Sequence, residues 1–450
     1  MRFRFPLIIA IYSVLVFASL GATPLWLDEV LHVNCARSKT WDSLIVWVQV
    51  NAGGVPLSYF LQELAIRILG FSTVAVRLPA ALASIAGAIV FIAILKRLKC
   101  GTATLALVLF LLVPLQFRYA VEGVGYSLGL CFCLVSFWTF LRFSETPSLS
   151  WTAAYAISIV LGLYSQPLVI FPAVAQVLWT AKFGNRRQLG LAAGALAFAV
   201  VAFLPWHFAQ QEIQRGAGTM KIVFFSWQQV RPLMLLHDVV GGGYAVAIPL
   251  IVLAAYGFYS LRRSAEQVLI FVTLLGAWVG PLLTDGILNY FFAPRQLLFA
   301  VPFLVLLAAS GADELWKRKT TWLPVAGAAI ALGGSLVSDY RQAVNPKDDL
   351  MIAARTAQTR VGQDGCLAVT PSNWSAYFTF FEPSLVDREC KSSSAARIVA
   401  VTAAAAAAQE REALSRAIPT EFVTKEKAMF REIDLTVYER TPSTQTPGPQ

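Results

Sequence analysis

Apolar residues in this chain cluster into runs of span length, a few of them shorter, separated by short stretches that carry Lys, Arg or Pro. A run of about 17–22 apolar residues is what a helix needs to cross a bilayer. The pattern predicts about eleven such helices, at 5–22, 78–95, 102–115, 123–141, 151–165, 167–181, 189–206, 244–261, 267–284, 296–311 and 321–338. Two stretches between runs are long. Residues 23–77 contain two amphipathic segments, 41–50 and 57–69, which read as short interfacial helices around an Asn51–Pro56 turn. Residues 207–243 carry His207, Arg215, Lys221, Arg231, His237 and Asp238, and read as a connector or a gate. From about 341 the pattern turns soluble. A helix over 348–360, strand-like runs at 366–370, 398–402 and 433–438, and an Ala-rich helix at 403–417 predict a small α/β domain. The expected organisation is a membrane domain over 1–340, an α/β domain over 341–440 and a disordered tail over 441–450.

Composition agrees. With 57% hydrophobic and 14% charged residues among 450, the chain is far from the usage of soluble domains. A net charge of +10 invites a nucleic-acid reading, yet no basic stripe interleaves with aromatics, so none is expected. The basic residues instead follow topology. Arg2/Arg4, Lys96/Arg97/Lys99, Arg142, Lys182/Arg186/Arg187, Arg262/Arg263 and Lys317/Arg318/Lys319 all fall on one side if the eleven spans alternate. By the positive-inside rule that side is cytoplasmic. The expectation is a multi-pass plasma-membrane protein with its amino terminus inside, an uncleaved first span, and residue 28 and the C-terminal domain outside. Cys366 and Cys390 would then meet an oxidising compartment, and either a disulfide or two thiols fits their spacing.

The candidate chemistry lies at the outer ends of spans. Phosphate-binding glycine loops, a nucleophile elbow and a His-Glu-x-x-His motif are all missing from the sequence. Three histidines, at 32, 207 and 237, give a divalent metal little to bind. What remains is ionisable: Asp28, Glu29, Arg77, Arg118, Glu122 and Arg295. Charged groups at a membrane boundary are costly unless they face water or a polar cavity. Carboxylates and arginines meeting there suit an anionic, lipid-borne substrate, with an arginine fork on phosphate and a carboxylate as base. Each residue has a bland alternative. Asp28 can be a helix N-cap with Glu29 favouring the dipole, Arg77 an interfacial anchor, Glu122 the polar start of a span, and Arg295 a partner of Asp285 or Glu122.

The motifs Trp26-Leu27-Asp28-Glu29, Pro56-Leu57-Ser58-Tyr59-Phe60, Val76-Arg77-Leu78-Pro79-Ala80, Arg118-Tyr119-Ala120-Val121-Glu122 and Pro294-Arg295-Gln296-Leu297-Leu298, in this order along the spans, resemble the GT-C glycosyltransferases. Within that class the chain is similar to the protein-mannosyltransferase, aminoarabinose-transferase and lipopolysaccharide-core types. The resemblance implies an all-α polytopic membrane protein with a small extracytoplasmic α/β domain. It also implies a hexosyl or pentosyl transfer with inversion, from a polyprenyl-phosphate sugar donor to a hydroxyl of a glycolipid, glycan or protein acceptor. In that scheme Asp28 is the catalytic base, Glu29 and Glu122 shape the cavity, and Arg295 holds the donor phosphate. No cofactor is required by the residues, and a divalent metal stays open. The sequence departs from the family at Val55, where relatives often carry His or Lys. It departs again at Gly123-Val124, where Ala-Arg is usual, and at Gln296, where tyrosine is frequent. These departures leave room for an altered substrate or a non-catalytic relative. A polytopic flippase for lipid-linked sugars is the reading from another class, although the internal repeats it would favour are not evident.

Overall fold

The computed structural model describes the chain except residues 1–3, 37–39, 51–53, 217–239, 242, 289–292, 321, 346, 391–394, 404–405, 407, 432 and 442–450. Lys221, Arg231, His237 and Asp238 of the 207–243 stretch lie outside the described residues, as do most of the tail and the side chains of Arg215 and Asp285.

Each predicted apolar run falls on helix. The first eight helices are α1 (Arg4–Ser19), α2 (Leu27–Ala36), α3 (Trp41–Val50), α4 (Pro56–Leu69), α5 (Thr73–Arg97), α6 (Ala103–Leu112), α7 (Pro114–Ala120) and α8 (Tyr126–Glu145). Among the described residues, seven helices are long and apolar enough to cross a membrane. The pair α6 and α7, bent by 61°, makes an eighth, and three shorter apolar helices are Arg4–Ser19, Leu149–Leu163 and Pro167–Phe183. The bend has a local cause. Val113, preceding Pro114, is extended at φ −60° and ψ 124°, the conformation a following proline imposes.

The chain divides into two compact units: Met1–Thr23 with His32–Val344, and Pro24–Leu31 with Asn345–Gln450. In the first, the apolar core gathers α1, α5, α6, α7 and α8 with the later spans around Phe91, Phe110, Phe137, Phe299 and Phe303. The Pro294–Lys317 segment sits at its centre, 89% buried over its apolar window, whereas Arg186–Glu212 is 17% buried and turns most of its apolar surface outward. A buried hydrogen-bonded trio ties the first helices together, as a dry interior favours. Tyr12 of α1 and Ser84 of α5 share a hydrogen bond of 2.6 Å, and Gln116 of α7 donates to the same Ser84 oxygen at 3.0 Å.

The second unit contains a four-stranded sheet in the order β1-β2-β4-β3, from β1 (Gly365–Thr370), β2 (Arg397–Ala403), β3 (Phe422–Met429) and β4 (Ile433–Arg440). β1 and β2 are parallel; β4 runs antiparallel to both β2 and β3. The Leu350–Val361 helix covers β1, β2 and β4, its buried Ala353, Ala354, Ala357 and Val361 recurring at helical spacing. Cys366 and Cys390 form a disulfide. The Ala-rich helix begins only at Ala408, because Arg397–Ala403 is strand throughout. β3 is an addition to the sequence reading. It is an edge strand whose residues Val423, Thr424 and Lys425 are exposed in succession, so it carries no apolar alternation to announce it.

Candidate active site

Three of the predicted residues meet in the first unit. α7 carries Arg118 and Tyr119, and Glu122 follows in the turn before α8. Arg295 opens the short 3₁₀ segment Pro294–Ala300, which feeds the most buried span. Tyr119 is buried at their meeting point, where the charges of Glu122, Arg295 and Arg118 all act on its phenol. Its ring lies 4.9 Å from that of Tyr126, and the Arg295 guanidinium stands 5.8 Å from the Tyr126 ring centre, within cation–π range. Ser127 fixes the turn by donating to the Tyr119 carbonyl at 2.6 Å.

The turn that presents Glu122 is pinned from two sides. Gln62 of α4 is buried, and its side-chain amide donates to the carbonyls of Gly123 at 2.9 Å and Val76 at 3.0 Å. A Cβ at residue 123 would stand 2.7 Å from the Val76 side chain and 3.0 Å from the Val76 carbonyl. This explains the departure at Gly123: with α5 this close, the turn takes glycine where relatives carry alanine. Ser58, Gln62, Val76, Pro79, Ala80, Gly123, Val124 and Leu128 line a small recess beside it, with a volume of about 10 Å³. The other two departures are also buried: Val55 starts α4, and Gln296 follows Arg295.

Arg77 has other work. It is buried, and its guanidinium donates to the carbonyls of Leu20 at 2.8 Å and Thr23 at 3.1 Å. It therefore binds backbone oxygens of the turn that follows α1, rather than anchoring at an interface.

Asp28 and Glu29 belong to the second unit. Asp28 does not cap α2. The Trp26 carbonyl accepts the first helical hydrogen bond, from Val30 at 2.9 Å, which makes Trp26 the N-cap and puts Asp28 in the second helical position. Glu29 is buried and reaches back to accept the Trp26 N–H at 3.2 Å, the returning half of a capping box. Asp28 is half-buried.

One residue the sequence reading passed over joins the first-unit cluster. Asp339, in the Trp322–Val344 helix, is buried with neither carboxylate oxygen hydrogen-bonded among the described residues, and Arg118 acts on it electrostatically. The signal was present: Leu336-Val337-Ser338-Asp339 closes the last apolar run with a carboxylate, the feature that singled out Asp28. Of the histidines, His32 stacks on Tyr59 at 4.1 Å and His207 meets Gln211 at 2.9 Å. No group of three or more His, Cys, Asp or Glu able to hold a metal gathers among the described residues.

Residues 54–206 match the family model of dolichyl-phosphate-mannose-protein mannosyltransferases. No curated protein sequence matches the chain. Two crystal structures of ArnT from Cupriavidus metallidurans are similar to it over nearly their whole length. The apo form has a TM-score of 0.62 at 13% identity, covering 96% of this chain and 97% of ArnT. The form bound to undecaprenyl phosphate has a TM-score of 0.61 at 13% identity, covering 98% and 99%. The matched family segment includes α4 to α8, and with them Gln62, Arg77, Arg118 and Glu122. Family pattern over 54–206 and architecture over the whole chain agree, and the protein has the GT-C glycosyltransferase fold.

Proposed function

We propose that the protein is an integral membrane glycosyltransferase that moves a sugar, with inversion, from a polyprenyl phosphate to a hydroxyl of a glycolipid, glycan or protein on the extracytoplasmic face. The observation that carries this reading is the cluster of buried Tyr119 and Glu122 with half-buried Arg118 and Arg295, set in a fold shared with a protein that binds undecaprenyl phosphate. In the proposed reaction Asp28 takes the proton from the acceptor hydroxyl as its oxygen attacks the anomeric carbon. The bond from that carbon to the phosphate oxygen breaks, and the polyprenyl phosphate leaves with the electron pair. Negative charge grows on the leaving phosphate, and a fixed cation in a dry site stabilises it far better than water would. Arg295 supplies that cation with fork geometry suited to two phosphate oxygens. Arg118 shares its field with Asp339, so it is assigned to holding Glu122 and Tyr119 in place, with Glu122 and Glu29 shaping the polar lining.

The test is transfer by purified protein in lipid, offered a panel of polyprenyl-phosphate sugars with membrane extract as acceptor. Wild type should transfer from at least one donor, and Asp28→Asn should lose about 100-fold or more, the scale of a removed general base. Transfer that survives in Asp28→Asn would overturn the base assignment and keep the class. Absence of transfer from every donor, with folded protein, would move the chain to a non-catalytic or transport role.

A further inference from the structure

The segment that holds Asp28 is built from both ends of the chain. Trp26, its N-cap residue, has no side-chain oxygen to satisfy the free N–H groups of the first turn of α2, a deficit that Ser, Thr, Asp or Asn would have met. The deficit is met from 321 residues away. Oδ2 of Asp348 accepts the Leu27 N–H at 2.9 Å, and Oδ1 of the same carboxylate accepts the Leu350 N–H at 3.2 Å. One buried carboxylate thus starts two helices: α2, which carries Asp28, and Leu350–Val361, which covers the sheet. Beside it, the Lys347 ammonium lies 3.1 Å from the Trp26 ring centre. The 347–349 stretch is in turn tied to the turn between β3 and β4, where Arg431 donates its backbone N–H to Asp349 at 3.1 Å and its guanidinium to the Lys347 carbonyl at 3.1 Å.

We infer that Asp348 and Lys347 are positioning residues for Asp28, and that the C-terminal domain serves the reaction by fixing the first turn of α2. The inference rests on the reading of Asp28 as base. A base one position out of register loses its line to the acceptor proton, since sub-ångström placement is what makes such groups effective. Asp28 is the next residue after the one that Asp348 holds. Glu29 closes the same turn through the Trp26 N–H, so the first turn has one tie from within and one from the domain. Loss of the outer tie should let the turn fray and lower kcat while leaving substrate affinity alone.

The experiment uses the full-length protein in lipid nanodiscs, with amide hydrogen exchange over residues 27–30 and transfer kinetics read in parallel. Asp348→Ala should speed exchange at these amides about tenfold, the scale of a lost cap, and lower kcat by a similar factor at unchanged KM. Glu426→Gln, which removes a half-exposed ion pair with Arg360 in the same domain, should change neither. Wild-type exchange and kcat in Asp348→Ala would overturn the inference. So would an equal acceleration in Glu426→Gln, which would mean general loosening of the domain. If Asp348→Ala does not fold, Lys347→Met takes its place: it removes the cation over Trp26 and no carboxylate. Faster exchange at 27–30 in that variant supports the inference, and wild-type exchange overturns it. A wild-type protein inactive with every donor would defeat the glycosyltransferase reading, while the exchange arm would still decide whether Asp348 holds the turn.

Discussion

Arg295 and Arg118 carry the same charge in different surroundings, and their variants should fail in different ways. Arg295 stands over Tyr126 at the mouth of the most buried span, and its proposed task is the leaving phosphate. Arg295→Ala should lower kcat by about 10²–10³, the loss typical of one preorganised charge-stabilising donor. Arg295→Lys should recover only part, because a point charge lacks the guanidinium fork. Transfer kinetics in nanodiscs check both. Arg118 faces Asp339, whose carboxylate oxygens make no hydrogen bond among the described residues. Arg118→Leu removes the cation whose field reaches this buried carboxyl and should cost stability of about 0.5–3 kcal/mol. Asp339→Asn in the same chain should return much of the loss, with coupling on the order of 1–3 kcal/mol. Unfolding midpoints of the two single variants and the double variant in detergent measure it. At this scale the sequence was a good guide to which side chains matter and a poor guide to their tasks. Arg77 and Glu29 were legible as ionisable residues at span ends. That they hold the Leu20 and Thr23 carbonyls and the Trp26 N–H depends on backbone geometry that residue type does not carry.

Elements were legible where one physical requirement dominates. Spanning a bilayer demands long apolar helices, so the apolar runs mark helices without further information. The two amphipathic segments of the 23–77 stretch appear as α3 and α4. Requirements of contact were not legible. The break at Val113-Pro114 reads as one run in sequence because both halves are apolar. The edge strand β3 reads as polar loop because only its partner β4 buries alternate residues. Helix approach is another such requirement. The Tyr244–Leu261 and Val301–Lys317 helices touch through Gly257 and Gly311: a Cβ on Gly311 would lie 2.0 Å from the Leu253 carbonyl, and one on Gly257 2.3 Å from the Leu307 carbonyl. Both obstacles are backbone, which cannot turn aside. Gly311→Ala should therefore destabilise by about 3 kcal/mol or more, as overpacking at a fixed contact does. Gly190→Ala and Gly194→Ala, with nothing within 4 Å of the added carbon, should shift stability by less than about 1 kcal/mol, toward the stable side because alanine is the better helix former. Thermal unfolding of the three variants in one detergent compares them directly.

At the scale of the whole molecule, orientation in the membrane ties the candidate chemistry to a compartment, and the chain's own cysteines can report it. The basic clusters argue that the amino terminus and the Arg97–Gly101 turn face the cytoplasm while the α/β domain faces outward. The argument from charge is statistical, but the disulfide adds chemistry. The Cys366–Cys390 bond persists only where no thiol pool reduces it, so in an outward-facing domain it would be stable and in the cytosol it would be open. Cys390 is exposed and Cys366 buried, so reduction would free one readily labelled thiol. Intact spheroplasts treated with a membrane-impermeant maleimide should leave the domain unlabelled. The same cells treated first with an impermeant phosphine should label at Cys390. Cys100, half-buried just past the C-terminal end of α5, should stay protected until the membrane is opened. Labelling of Cys390 without reduction would remove the disulfide, and labelling only after permeabilisation would invert the topology. An inverted topology would place the Asp28 segment on the face where the basic clusters lie, and the proposed transfer to an extracytoplasmic acceptor would fall with it. The observed order of labelling therefore decides the compartment of the reaction before any sugar or acceptor is identified.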